Sequence, residues 1–388
     1  MGKYLWICIL LISGFLLSCG PDQNLQQVNM MMWQGDPVIN SYMKTYVVPE
    51  LKKQGIDLQL VSGQGTEIVS TLMTEIEAGK TDSEIDVVWV NGETFFQLKQ
   101  INGLYGPIWD SLSNIAYVDT SSSFIKYDFQ QLVNGYEAPW GTIQMIMIHD
   151  EKRAPQPPSN PKALKEWVKA NPGKFTLSND FTGMSFLKLL LIEFAGGSEA
   201  IKGPFQSDIY QQAGDSLWNY IREIQPYFWR KGETFPEGLA AMHRLFANGE
   251  IDLSISMNDN GVDNKVLEGL FPPSAKGYAW KSGIIKNSHF LGIPSRSPHK
   301  SGALKTINFL LSPEAQYKKL QPDGWGDGTS LSLNLLPEEW KEKFRSTQQR
   351  KQTPPRSEIE QYAVMEPAPE YMIRLYDDFA KKIIDGEE

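Results

Sequence analysis

Three sets of side chains in this 388-residue chain have the identities and separations that catalysis or ligand capture would need. The first runs Ser185-Phe-Leu-Lys188, Ser256-Met-Asn258, Lys281-Ser-Gly283, the order in which serine acyl-transferases place nucleophile and base. Each element is short, and Lys300-Ser-Gly302 repeats the last one, so ordinary helix and loop positions account for the set as well. Leu187, Leu189, Leu190 and Leu191 give the segment around Lys188 a core face. The second set is Ser62-Gly63-Gln64-Gly65-Thr66, which follows a strand pattern and opens a helical one. Its backbone N–H groups point the way a helix N-terminus receives an anion or polar group, although isoleucine at position 68 removes the third glycine of a dinucleotide loop. A plain tight turn is the alternative.

The third set consists of aromatic, amide and carboxylate side chains on turns that follow strand patterns: Trp33, Gln34 and Asp36; Asn91 and Glu93; Trp140 in Ala138-Pro-Trp-Gly141; Phe181 and Thr182; Asn258 and Asp259. Trp33 and Trp140 adjoin Gly and Pro turns, where an indole face can stack on a ligand, whereas Trp89, flanked by valines, is expected in the core. Carboxylates on comparable turns suit a cation or a polar ring. With Gln64, these residues form the expected ligand-binding set.

Metal and cofactor chemistry finds no support. The histidines, His149, His243, His289 and His299, form no His-x-x-x-His pair, and Asp323 and Asp327 lack the oxygen spacing of a calcium loop. A formal net charge of -9 without a long Lys/Arg block argues against nucleic acid.

The elements that must hold these turns alternate strand and helix. Val28 to Trp33, Ile56 to Val61 and Asp86 to Val90 read as strands; Pro37 to Leu51 and Thr66 to Glu77 read as helices. A second α/β block follows Ile143 to Ile148, with helices at Pro161 to Ala170, Met184 to Ala195, Tyr210 to Ile224 and Glu237 to Ala247, and a strand at Phe175 to Ser178. "EAGKTDSEIDVVWVNG" and "ANGEIDLSISMNDNG" echo one another, placing similar polar turns at corresponding points of the two blocks. His289 to Pro294 leads back toward the first block, and Ser312-Pro313 starts a helix with a capping serine and proline at N1.

The N-terminus reads as a secretory leader. Lys3 precedes the apolar run Leu5 to Leu17, which Leu16-Leu17-Ser18-Cys19-Gly20 closes in the manner of a lipobox. Residues 1–18 are then a lipoprotein signal peptide, Cys19 the lipidated residue and 19–28 a tether. The other cysteine, Cys8, lies in the leader, so the mature chain has no internal disulfide.

"WQGDPVINSYM", "IDVVWVNGETFFQLKQINGLYGP", "APWG", "NSHFLGIPSRSPHKSGALKTINFLLSPEAQ" and "PDGWGDGTSLS" together resemble the solute-binding components of bacterial ABC transporters, in their YnjB-type branch. The similarity runs from about Trp33 to the Trp340 region. It implies a two-lobed α/β type II periplasmic-binding fold: lobe 1 from 29–142 plus 289–330, lobe 2 from 143–288, and C-terminal helices over 331–388. It also implies a monomer, not an enzyme, which closes on a small-molecule ligand and docks on permease subunits driven by a cytoplasmic ATPase, lipid-anchored outside the cytoplasm. Thiamine-like, polyamine and sugar ligands all fit Trp with carboxylate or amide; a free anion fits less well, because the candidate turns carry no arginine. A serine acyl-transferase of the penicillin-binding type and a non-transport surface lipoprotein are the alternatives.

Overall fold

The computed structural model describes residues 25–35, 37–321, 324–347 and 350–386. The leader with Cys19, and Asp36, lie outside the described residues. The chain begins with β1 (Gln26–Met32), α1 (Pro37–Tyr42), α2 (Val48–Lys53), β2 (Ile56–Ser62), α3 (Gly65–Glu77), β3 (Val87–Val90), α4 (Gly92–Gln100) and β4 (Leu104–Tyr105). Then come α5 (Ser123–Lys126), the short hairpin β5 (Tyr127–Asp128) and β6 (Gln131–Leu132), and the consecutive strands β7 (Glu137–Gln144) and β8 (Ile146–Asp150). The second lobe adds α6 (Pro161–Ala170), α7 (Phe181–Phe194), α8 (Ser207–Ile224), α9 (Leu239–Ala247), β9 (Leu253–Ser256), α10 (Gly261–Leu267) and β10 (Ala275–Tyr278). The return path is β11 (Ile284–Pro294), α11 (Lys300–Leu310), α12 (Pro313–Leu320), α13 (Glu338–Thr347), α14 (Arg356–Ile359), β12 (Ala363–Met365) and α15 (Pro369–Phe379).

The alternation read from the sequence becomes a sheet of order β12-β11-β3-β1-β2, with β4 and β7 also paired to β11. β1 runs parallel to β2 and β3, as βαβ connections require. Met30 and Met32 of β1 enter one apolar cluster and Met31 the other, so helices cover both faces of this lobe's sheet. Lobe 2 has its own smaller antiparallel sheet, β10-β8-β9, and its own core around Phe186, Leu190, Trp218 and Phe246.

Two connections join the lobes. β7 leaves lobe 1 and continues as β8, the central strand of lobe 2. β11 returns along it: Ile284 and Ile285 belong to the lobe 2 core, while Leu291 and Ile293 belong to lobe 1. The C-terminal segment makes a third connection that its sequence did not show. Phe344 of α13 is buried with lobe 1, β12 pairs in parallel with β11, and Tyr371, Met372, Leu375 and Phe379 of α15 are buried in the core of lobe 2.

One expected strand is absent. Phe175 to Ser178 joins no ladder; around it Trp229 N–H donates to the Phe175 carbonyl and Asn179 N–H to that of Pro236. Loops, rather than a neighbouring strand, take up its backbone.

Candidate functional site

At the carboxyl ends of β2 and β3 the two lobe 1 turns meet. Asn91 is the N-cap of α4: its Oδ1 accepts from the Thr94 N–H at 3.2 Å and the Thr94 hydroxyl at 2.8 Å. A side chain at Gly65 would run into Thr94 Oγ1, which is why the β2 turn can lie against that cap. Gln64 is exposed, and its N–H donates to Glu67 Oε2 at 2.7 Å in a capping arrangement.

Glu93, one residue into the α4 start, points into a carboxylate group that its sequence neighbours do not predict. Part of the residue stays open to solvent, but its Oε1 is sealed. Asp128 of β5, Glu137 of β7 and Glu366 beyond β12 are buried in the same group, together with Lys188 of α7. Lys188 Nζ lies 2.5 Å from Glu366 Oε2 and over the Phe129 ring at 4.4 Å, with Phe181 at 5.8 Å. Burial pushes Glu93 up to about 7, with the Lys188 ammonium opposing. Asp128, Glu137 and Glu366 are raised too, by burial first; neighbouring carboxylates add to this at Asp128 and Glu137, while Lys188 offsets part of it at Glu366.

A second group is aromatic. Trp140 is fully buried and packs edge to face on Trp89, with ring centroids 5.0 Å apart; Trp325 touches both. His289 of β11 stacks on Trp325 at 5.4 Å, and burial lowers its pKa to about 4. Beneath the rings, Lys319 of α12 is sealed and donates to the Trp140 carbonyl, Asp327 Oδ2 and the Gly328 carbonyl. Gly141 lets the strand approach so closely: a Cβ there would fall 2.1 Å from Asp327 Oδ2.

The aromatic group reaches lobe 2 through Trp325. Asn264 of α10 donates to the Trp325 carbonyl at 3.1 Å, and Arg356 donates to the Gly326 carbonyl at 3.0 Å. Arg356 and Arg350 also clamp Asp259, at 2.8 and 2.7 Å. Burial alone would raise the Asp259 carboxyl, but the Arg356 and Arg350 guanidinium groups hold it below the usual range.

The residues expected from sequence therefore divide. Glu93 and Phe181 converge on Lys188; Trp140 and Asp259 are linked through Trp325 and Arg356. Trp33 stands apart, 42% exposed with its ring beside Gly35, and Gln34 uses its carbonyl to accept from Asn40. Thr182 is buried in the first turn of α7, where its N–H donates to Asp180, and Asn258 closes its own turn by accepting from the Asn260 N–H. Three expectations change. Trp140 lies behind Trp89, with no face open to a ligand as the structure stands, while Trp89, expected in the core, is only half-buried. Asp259 is not a free carboxylate but an arginine-paired one. The serine–lysine set does not assemble: Ser185 and Lys188 are fully buried, Lys188 pairs with Glu366, and Lys281 is on the surface.

Two lobes, each with its own core, and side chains from both meeting between crossover strands form the frame of a receptor that closes on its ligand. The family model for bacterial extracellular solute-binding proteins matches residues 45–344. This chain belongs to that family. Protein YnjB of Escherichia coli (strain K12) is 36% identical over 326 residues, covering 83% of this chain and 84% of that protein. Among solved structures, the spermidine/putrescine ABC transporter substrate-binding protein PotD of Streptococcus pneumoniae aligns with a TM-score of 0.64 at 15% identity, over 91% of this chain and 97% of that one. The periplasmic binding protein AfuA of Actinobacillus pleuropneumoniae, with fructose-6-phosphate bound, gives 0.63 at 12% identity, over 92% and 98%. At these identities the likeness is one of fold.

As a solute-binding protein of this family the chain works outside the cytoplasm, and among the described residues no helix is long and apolar enough to cross a membrane. Sequence reasoning missed Arg350, Arg356, Asp128, Glu137 and Glu366 as members of these groups. Each comes from a segment without a motif, and only the tertiary path brings it in.

Proposed function

We propose that this protein is the capturing subunit of an ABC importer. It takes a small polar or cationic solute between its lobes, closes by bending β7–β8 and β11, and presents the closed form to permease subunits driven by a cytoplasmic ATPase. Acylation of Cys19 tethers it to the membrane surface, and it acts as a monomer. The observation that carries this is the character of the contact between lobes. Away from the crossover strands the lobes meet through hydrogen bonds and ion pairs, such as Asn264 to the Trp325 carbonyl, rather than through one shared apolar core. Contacts of that kind exchange for water at modest cost, so a solute's differential affinity for the closed state is enough to set the equilibrium. PotD, a spermidine/putrescine substrate-binding protein, and AfuA, with fructose-6-phosphate bound, share the fold, which accommodates either class.

The test is small-angle scattering of the purified protein, with and without solutes that raise its melting temperature in a screen of vitamins, polyamines, sugars and oxyanions. A binding solute is expected to reduce the radius of gyration. A solute that binds tightly with no change in shape would remove hinge closure from the proposal.

A further inference from the structure

Deepening that reading and resting on it, we propose that the solute is an organic cation whose ammonium group is received by Glu93, Asp128, Glu137 and Glu366 against the ring of Phe129, and that Lys188 occupies this place until the solute arrives. Glu366 pairs with the buried Lys188 ammonium, Glu93 and Asp128 feel its charge, and Glu137 lies beside Asp128 with Lys99 as the cation that acts on it. Both oxygens of Asp128 and both of Glu137 are fully buried and accept no hydrogen bond among the described residues. Unpartnered carboxylates are costly in a protein interior unless a cation or shared protons compensate them. Lys188 pairs directly with one of the four, Glu366, and leaves the oxygens of Asp128 and Glu137 without a hydrogen-bond donor among the described residues.

Lys188 shows how a cation fits there. Its Nζ pairs with Glu366 and stands over the Phe129 ring, the arrangement by which aromatic faces and carboxylates together hold an alkylammonium. It is carried by α7 of lobe 2, whereas Glu93 and Glu137 belong to α4 and β7 of lobe 1. Opening the lobes therefore separates the resident ammonium from those lobe 1 carboxylates and leaves them for an incoming one. A small recess lined by Phe124, Tyr127, Phe129, Lys286, Met365 and Glu366 adjoins the group on the side of Phe129. A metal ion fits less well: among the described residues no three His, Cys, Asp or Glu side chains are placed to hold one.

The experiment is calorimetric titration of the purified chain with putrescine, choline and thiamine, with maltose and inorganic sulfate alongside. At least one of the cations is expected to bind. Glu93→Gln with Asp128→Asn should weaken that cation by about 30-fold or more, as losing the partner of a buried charge does. Lys188→Met should strengthen it by about tenfold or more, because the internal competitor is gone. If Lys188→Met does not fold, Glu137→Gln, which keeps the lysine, is expected to weaken the cation in its place. Binding of maltose or sulfate with no cation bound overturns the assignment and leaves the receptor reading intact. A cation bound equally well by the Glu93 and Asp128 variant also overturns it. Failure of every probe, with no compaction in scattering, overturns both.

Discussion

Glu93 was legible in the sequence as a carboxylate on a turn after a strand, but what surrounds it was not. Asp128, Lys188 and Glu366 reach it from three other segments, Glu137 stands behind Asp128, and Tyr376 faces it from α15. Its pKa is raised from the ordinary 4.5 to about 7, so its contribution to stability is present below 4.5 and lost as pH rises through 7. Asp128, Glu137 and Glu366 slope the same way, whereas His289, lowered from 6.5 to about 4, slopes oppositely: its contribution is present above 6.5 and lost as pH falls through 4. Comparing the wild type with Glu93→Gln isolates the one group. In urea unfolding, the glutamine variant should gain on the wild type by on the order of 2–3 kcal/mol between about pH 5 and about pH 8, the solvent-open part of the residue reducing the larger figure. A difference independent of pH would mean that Glu93 is solvated after all. Asn91 has a different task. Asn91→Ala removes the cap of α4 and should cost about 1 kcal/mol in the same assay at either pH, with the fold retained.

At the scale of elements, the strand and helix alternation from β1 through β3, the proline-started α6 and the Ser312 cap of α12 all follow local rules, and their positions were readable to within a few residues. The 175–178 segment was not, because a strand pattern becomes a strand only if a neighbour is there to pair with it. The join between α12 and β7 was equally hidden. It depends on a sealed lysine, Lys319, that bonds the Trp140 carbonyl and Asp327. Lys319→Ala leaves the Asp327 carboxylate buried beside neutral aromatic rings and should cost about 3–5 kcal/mol. Trp89, Trp140 and Trp325 ring this lysine's site, so fluorescence-monitored denaturation reports the change directly. A loss below about 1 kcal/mol would show that the pair contributes no more than an exposed one.

At the scale of the molecule, closure is set by few contacts, and Arg356 makes two kinds of them. It holds Asp259 of lobe 2 and the Gly326 carbonyl beside Trp325 of lobe 1. Arg356→Ala leaves Asp259 paired with Arg350, so the fold should persist while the closed form weakens. Ligand-free protein of this variant is expected to show a larger radius of gyration than the wild type in scattering; an unchanged value would place the closing energy elsewhere. The sequence by itself determined what local spacing can encode: two α/β blocks, the polar turns at their strand ends, the crossover runs and the membership of a solute-binding family that those segments resemble. The tertiary structure decided which side chains share a space. Glu366, Arg350 and Arg356 come from a C-terminal segment that crosses from lobe 1 to lobe 2, and Lys188 from a helix whose spacing reads as plain core. Charge pairing in an interior depends on burial and distance across the fold, and neither is a property of neighbouring residues in a chain.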